Sequence, residues 1–169
     1  QDVGRSTQQT ADGGYIITGS TTSQGYGGDD FLLIKTDSSG NEEWNQAYGG
    51  GDQDVGYSVQ QTNDGGFIIT GVTYSFGSGS GDVWLIKTDY LGTREWDQTF
   101  GSSTDDGGSS VKQTLDNGFI VVGKTQSTDS GAYDVWLIKT DSQGNEEWNQ
   151  TFGGSNNDKG NSVQVTPDG

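Results

Sequence analysis

An all-β fold of stacked, four-stranded antiparallel sheets is predicted by three features of the chain. A motif set returns every 52 residues, without insertion, marked by Trp44, Trp96 and Trp148 and by Asp12, Asp64, Asp116 and Asp168. Each unit divides into strand-length apolar or alternating runs separated by glycine-and-aspartate clusters. No stretch shows helical spacing of its apolar residues. Self-similarity at a fixed period of this length means units that cannot bury an apolar face alone and stack to do so.

The unit at 57–101 shows the elements in order. Residues 57–62 (YSVQQT) alternate, and the turn cluster Asn63-Asp64-Gly65-Gly66 follows, its glycines suited to positive φ. Residues 67–73 (FIITGVT) form a nearly continuous apolar run, then a Gly/Ser-rich loop runs to Gly81. Residues 82–89 (DVWLIKTD) make the third strand, and Tyr90-Leu91-Gly92-Thr93 the next tight turn. In 94–100 (REWDQTF), Trp96 and Phe100 fall on one face at period two. Middle strands apolar on both faces suit sheets covered on both sides. Four such strands in a 52-residue unit are the pattern of a β-propeller blade. A β-solenoid, with coils of about 20–30 residues, and a flat meander are the competing architectures. The expected layout is one strand at 1–10, blades at 11–62, 63–114 and 115–166, and so three blades plus one extra strand.

Composition bounds the function. Apolar residues are 27% and the net charge is −16, values that ordinarily signal disorder, but random polar tracts do not place tryptophans in register. Cysteine is absent, which removes disulfides and thiolate metal sites. No apolar run reaches the ~18 residues of a membrane helix, so no membrane insertion is expected. With eight Lys and Arg against 24 acids, nucleic acid is not an expected partner, and cations or neutral sugars fit better. Residues 1–13 align with 157–169, so the chain reads as a mature or excised piece of something longer.

The units resemble the propeller repeats of large secreted and cell-surface proteins of archaea and bacteria. Phe152-Gly153-Gly154, Asp158, Gly160, Asp64-Gly65-Gly66, Asp134, Trp136 and the stretch 141–148 carry the likeness. Asn117 in place of the first turn glycine and Leu32 in place of tryptophan depart from it. The resemblance implies a propeller and an extracellular or cell-surface location. The segments Asp37-x-x-Gly40-x-x-x-Trp44, Asp89 to Gly92 to Trp96 and Asp141 to Gly144 to Trp148 are also similar to the tryptophan-docking motif of quinoprotein propellers. That likeness implies an indole packed on a neighbouring blade and an Asp bracing the turn, a structural role for all nine residues.

Strand parity puts the short turns at one end of each blade and the longer, varied loops 20–30, 49–56, 73–82, 101–108, 125–134 and 153–160 at the other. Variable loops on a rigid scaffold are the usual place for binding residues. These loops hold Asp29, Asp30, Asp52, Asp54, Asp82, Asp105, Asp106, Asp129, Asp134 and Asp158. Of these, Asp52, Asp54, Asp105, Asp106 and Asp158 are the candidate ligands for Ca²⁺, a hard cation that takes oxygen donors. The competing reading has Asp2, Asp54, Asp106 and Asp158 accepting backbone N–H bonds at the blade junctions. Tyr26, Tyr74, Phe76 and Tyr133 are the candidate ligand face, able to present rings to a surface glycan. The triplet Asn149-Gln150-Thr151 is a candidate glycosylation acceptor.

Catalysis is not expected: there is no His, no Cys and no Gly-x-Ser-x-Gly elbow. Glu43, Glu95 and Glu147 recur in every unit, which suggests pairing with Lys35, Lys87 and Lys139 rather than a catalytic pair. The leading expectation is a non-catalytic surface scaffold for adhesion, assembly or ligand display, with no required cofactor. The alternatives are a glycan- or calcium-binding module and, further off, a propeller glycosidase or quinone-dependent enzyme fragment. Three units fall short of the typical four to eight blades, so further blades of a parent chain or a homo-oligomer, such as a six-bladed dimer, are the expected partners.

Overall fold

The computed structural model describes residues 1–126 and 131–167. Asp129 and Asp168 therefore lie outside the described residues. Twelve strands form three sheets. The first holds β1 (Asp2–Gln9), β2 (Tyr15–Thr21), β3 (Asp30–Thr36) and β4 (Glu42–Tyr48). The second holds β5 (Asp54–Gln61), β6 (Phe67–Thr73), β7 (Asp82–Thr88) and β8 (Arg94–Phe100). The third holds β9 (Gly107–Gln113), β10 (Phe119–Gln126), β11 (Tyr133–Thr140) and β12 (Glu146–Phe152). Each is an antiparallel meander in sequence order, and no helix occurs among the described residues.

Each sheet begins one strand earlier than units counted from the Asp-Gly turns, because β1, β5 and β9 pair with the strand that follows them. Residues 161–166, which the expected layout places as a strand at the end of the last blade, join no ladder. They run beside β9 instead: the Val163 N–H reaches Ser110 Oγ at 3.4 Å, as Val111 N–H reaches Ser58 Oγ at 3.3 Å one unit earlier. A strand needs a hydrogen-bonded neighbour, and no described segment follows that could pair with this one.

Residue chemistry explains the short turns. Asp12 Oδ1 accepts from Thr10 Oγ1 at 2.5 Å and Gly14 N–H at 3.0 Å, which clamps the β1–β2 hairpin. Gly13 sits at φ 87° and Gly65 at 88°, and their counterpart Asn117 stands at 67°, Asn being the side chain that best tolerates that region. The second glycine is needed for a different reason. A methyl group at Gly14 would fall 2.0 Å from Thr36 O and 2.7 Å from Lys35 Nζ. In the third turn, Asp37 Oδ1 accepts from both Ser39 and Asn41 N–H at 2.8 Å.

The core lies between the sheets. One cluster joins Ile16, Phe31 and Leu33 of the first blade to Val59, Phe67, Ile69, Trp84 and Ile86 of the second. The other joins Ile68, Val83 and Leu85 to Val111, Phe119, Val121 and Ile138. Odd and even positions of β6 and β7 thus face opposite neighbours, the reason both strands are buried along their whole length. Trp44 covers the first cluster, 5.8 Å from the Phe67 ring, and Trp96 the second, 5.7 Å from Phe119. Their indoles close over Gly92 and Gly144 of the next blade, where a methyl would come within 2.8 and 2.6 Å of the rings. The three sheets do not close into a ring, so one face of the first blade and one of the third carry no neighbouring sheet. Replacing Trp96 by Ala is expected to lower stability by about 3–5 kcal/mol, as for other large aromatic deletions from a core, read from urea unfolding; a loss below about 1 kcal/mol contradicts the docking role.

Candidate functional site

The short-turn end is occupied by scaffold chemistry. Lys35 is buried, and its Nζ donates to Thr36 O at 2.9 Å, Asp12 at 2.8 Å and Glu43 at 2.9 Å. The same arrangement recurs at Lys87 with Thr88 O, Asp64 and Glu95, and at Lys139 with Thr140 O, Asp116 and Glu147. An ammonium has three donors and each is used. Burial works to lower the Lys35 and Lys139 pKa values, but the facing carboxylates outweigh it and hold both above the ordinary value. The repeated glutamates meet these lysines; the third partner, the turn aspartate, was not assigned from sequence.

At the long-loop end, aspartates converge in pairs at the blade junctions. Asp54 is buried, and its carboxylate accepts from Gly50 N–H at 2.9 Å and Ser75 Oγ at 2.7 Å. Asp106 repeats this with Ser102 N–H at 2.8 Å and Gln126 N–H at 3.3 Å. Asp30 and Asp82 stand beside them, each accepting one backbone N–H, from Tyr26 and Ser78, at 2.9 Å. A methyl group at Gly49 would lie 1.7 Å from Asp30 Oδ1 and 2.8 Å from Asp54 Oδ2, and Gly101 faces Asp82 and Asp106 in the same way. The first glycine of each Gly-Gly or Gly-Ser pair after the fourth strand is therefore fixed by the carboxylates above it. Asp30 Oδ1, buried without a hydrogen-bond partner, abuts the Gly49 backbone.

The other candidate ligands do not converge with these. Asp52 and Asp158 are exposed, and Asp105 is bound to Lys124 and to Tyr133 Oη at 2.8 Å. Among the described residues, no group of three or more His, Cys, Asp or Glu is arranged to hold a metal ion. Asn149 lies on the outer strand β12, its amide donating to Glu146 at 2.6 Å.

The ring residues part company. Tyr26 stands in the first long loop, 78% exposed, and Phe76 leans on Trp84 with centroids 5.1 Å apart. Tyr74 and Tyr133 meet at Asp105, where the hydroxyls donate at 3.4 and 2.8 Å. Tyr74 borders a cavity of about 570 Å³ at the inner edge of the three blades, lined by Lys124 of β10, by Lys159 of the segment after β12, and by residues of β1, β5 and β9, Arg5 and Tyr57 among them. These three strands lie side by side: Gln61 N–H donates to Gln8 Oε1 and Gln113 N–H to Gln60 Oε1, both at 2.8 Å. The repeat carries no signal for these cations. They are departures from it: Arg5 stands where the other units have Tyr57 and Ser109, and Lys124 where they have Ser20 and Val72.

In comparisons with known proteins, no family model matches the chain and no curated protein is significantly similar to it.

Burial pushes the Asp82 carboxyl up to about 6 from an ordinary 3.8, with the Asp106 charge adding to it. The folded state then holds its proton more tightly than the unfolded chain, so this group lowers stability as pH rises from about 4 to about 6. Asp82→Asn keeps an acceptor for Ser78 N–H and removes the charge. It is expected to be more stable than the parent at pH 7 by on the order of 1–2 kcal/mol, the gap closing toward pH 4 in urea titrations. A constant gap contradicts the assignment.

Proposed function

We propose that this chain is a non-catalytic propeller scaffold of the extracellular space or cell surface, built to assemble with like blades and to display its loop-rich end for adhesion or ligand binding. The location rests on the likeness of its units to secreted and cell-surface propeller repeats. A non-catalytic role is supported by the fate of the recurring polar side chains: Lys35, Glu43 and Asp12, with their copies, are all spent on one another.

The observation that carries the assembly is the mismatch between inner and outer docking positions. Phe67 and Phe119, which receive Trp44 and Trp96, are each 1% exposed, whereas the equivalent Tyr15 is 39% exposed. Gly92 and Gly144 are buried under indoles, whereas nothing lies within 4 Å of a methyl placed on Gly40. At the other end Trp148 is 44% exposed and Phe152 is open beside it. A donor tryptophan and an acceptor turn of the same design as the two filled interfaces thus stand empty at opposite ends. A second copy satisfies both at once: Trp148 of each chain docks on Tyr15 and Gly40 of the other. Of the multiples of three blades, only six falls within the typical four to eight, which favours two copies.

Light scattering of the 169-residue chain is expected to give twice its 17.9 kDa mass. Trp148→Ala is expected to return it to one chain with an unchanged β-sheet circular dichroism spectrum. A monodisperse monomer of the parent chain contradicts this assembly.

A further inference from the structure

The eight basic side chains are distributed unevenly. Lys35, Lys87 and Lys139 are consumed inside the blades, and Arg94 pairs with Asp97 at 3.3 Å on an outer strand. The remaining four, Arg5, Lys112, Lys124 and Lys159, all line the axial cavity or the adjoining cleft below it, which shares Arg5, Tyr57, Ser109 and Asn161 with it. None of the four belongs to the repeat: Lys112 replaces Gln8, Gln60 and Gln164, and Lys159 replaces Val3, Val55 and Gly107. Stacking of like blades requires no cation at these positions.

Arg5 and Lys159 are held in place without being neutralised. Arg5 lies over the Tyr57 ring at 5.0 Å, and Lys124 and Lys159 over Tyr133 at 4.1 and 4.9 Å. Lys124 is ion-paired with Asp105, whereas Arg5 and Lys159 have no carboxylate partner among the described residues. Ring faces orient a cation at little cost to its charge. Around them are hydroxyl and amide groups, Ser109 and Asn161, and small apolar walls, Val3 and Val72. A cavity of about 570 Å³ has the size of small-ligand pockets. The chain's other charges are screened beyond about 8–10 Å at physiological salt, so the local excess of positive charge decides what binds here in an otherwise acidic protein.

We propose that the axial cavity binds a small hydroxylated carboxylate, an acidic sugar of one or two rings, with Arg5 and Lys159 on the carboxylate and Ser109 and Asn161 on hydroxyls. This deepens the display-scaffold reading by naming its ligand class. In a two-copy ring the same four cations enter the axis twice.

The test is calorimetric titration of the whole chain with galacturonate and, separately, with galactose in low-salt buffer. Galacturonate is expected to bind and galactose not to, the affinity falling as salt rises. Arg5→Gln and Lys159→Gln are each expected to weaken galacturonate binding about tenfold, one charge-assisted hydrogen bond, and Arg94→Gln to leave it unchanged. Absent galacturonate binding, equal binding of galactose, or variants that bind as the parent does each overturn the site. Light scattering on the same samples separates the two readings: a dimer that does not bind faults the site alone, and a monomer that binds faults the assembly alone.

Discussion

Everything in this molecule depends on one contact made twice: an indole from the fourth strand of a blade laid over a bare glycine in the next blade's third turn. Trp44 on Gly92 and Trp96 on Gly144 close the outer edge of each interface, and the β-branched and aromatic residues of β6, β7 and β10 fill the inside. Glycine is required there twice over. Its φ of 77° at Gly92 and 82° at Gly144 is a left-handed conformation, and the ring leaves no room for a side chain. The aspartate that begins each turn ties its N–H groups down, so the glycine presents a fixed flat surface. A chain only 27% apolar can afford this fold because a few large rings do the covering.

The polar repeats make a second layer of the same logic. The three-partner lysines pin the short turns to the sheets, and the paired aspartates pin the inter-blade connections to the long loops. Burying these charges is unfavourable unless every donor finds an acceptor. At the lysines that condition is met in full. At Asp30 it is not: its Oδ1 has no hydrogen-bond partner and abuts the Gly49 backbone, and burial raises the pKa of both Asp30 and Asp82, each of which holds one backbone N–H. The junctions are therefore the places where this scaffold is held below its own stability optimum at neutral pH.

The architecture was legible in the sequence because periodicity encodes it directly. Strand lengths, turn positions and the three-blade layout follow from where tryptophan and the Ile-Lys-Thr-Asp block recur. The phase of the sheets was legible only in part: the unit read at 57–101 has its strands in the order of β5 to β8, whereas blade bounds at 11–62, 63–114 and 115–166 cut between β5 and β6, because the repeat alone does not fix which pairing the register selects. The fate of 161–166 was hidden for a related reason, since a strand exists only with its partner. The carboxylates that meet the lysines were half visible, Glu43 through its repetition and Asp12 only through its turn. The cavity's cations carry no signal of recurrence: Arg5, Lys124 and Lys159 depart from the repeat and lie far apart in sequence, on β1, on β10 and after β12, and only the packing of the blades brings them to one cavity.

The most direct measurement of the central contact is a nuclear Overhauser spectrum of the isotope-labelled chain. Cross-peaks from the Trp44 ring to Gly92 Hα and from the Trp96 ring to Gly144 Hα, with those glycine protons displaced by the ring current, are the expected result. Gly92 and Gly144 protons at ordinary turn positions, with no indole signal connected to them, would contradict the account.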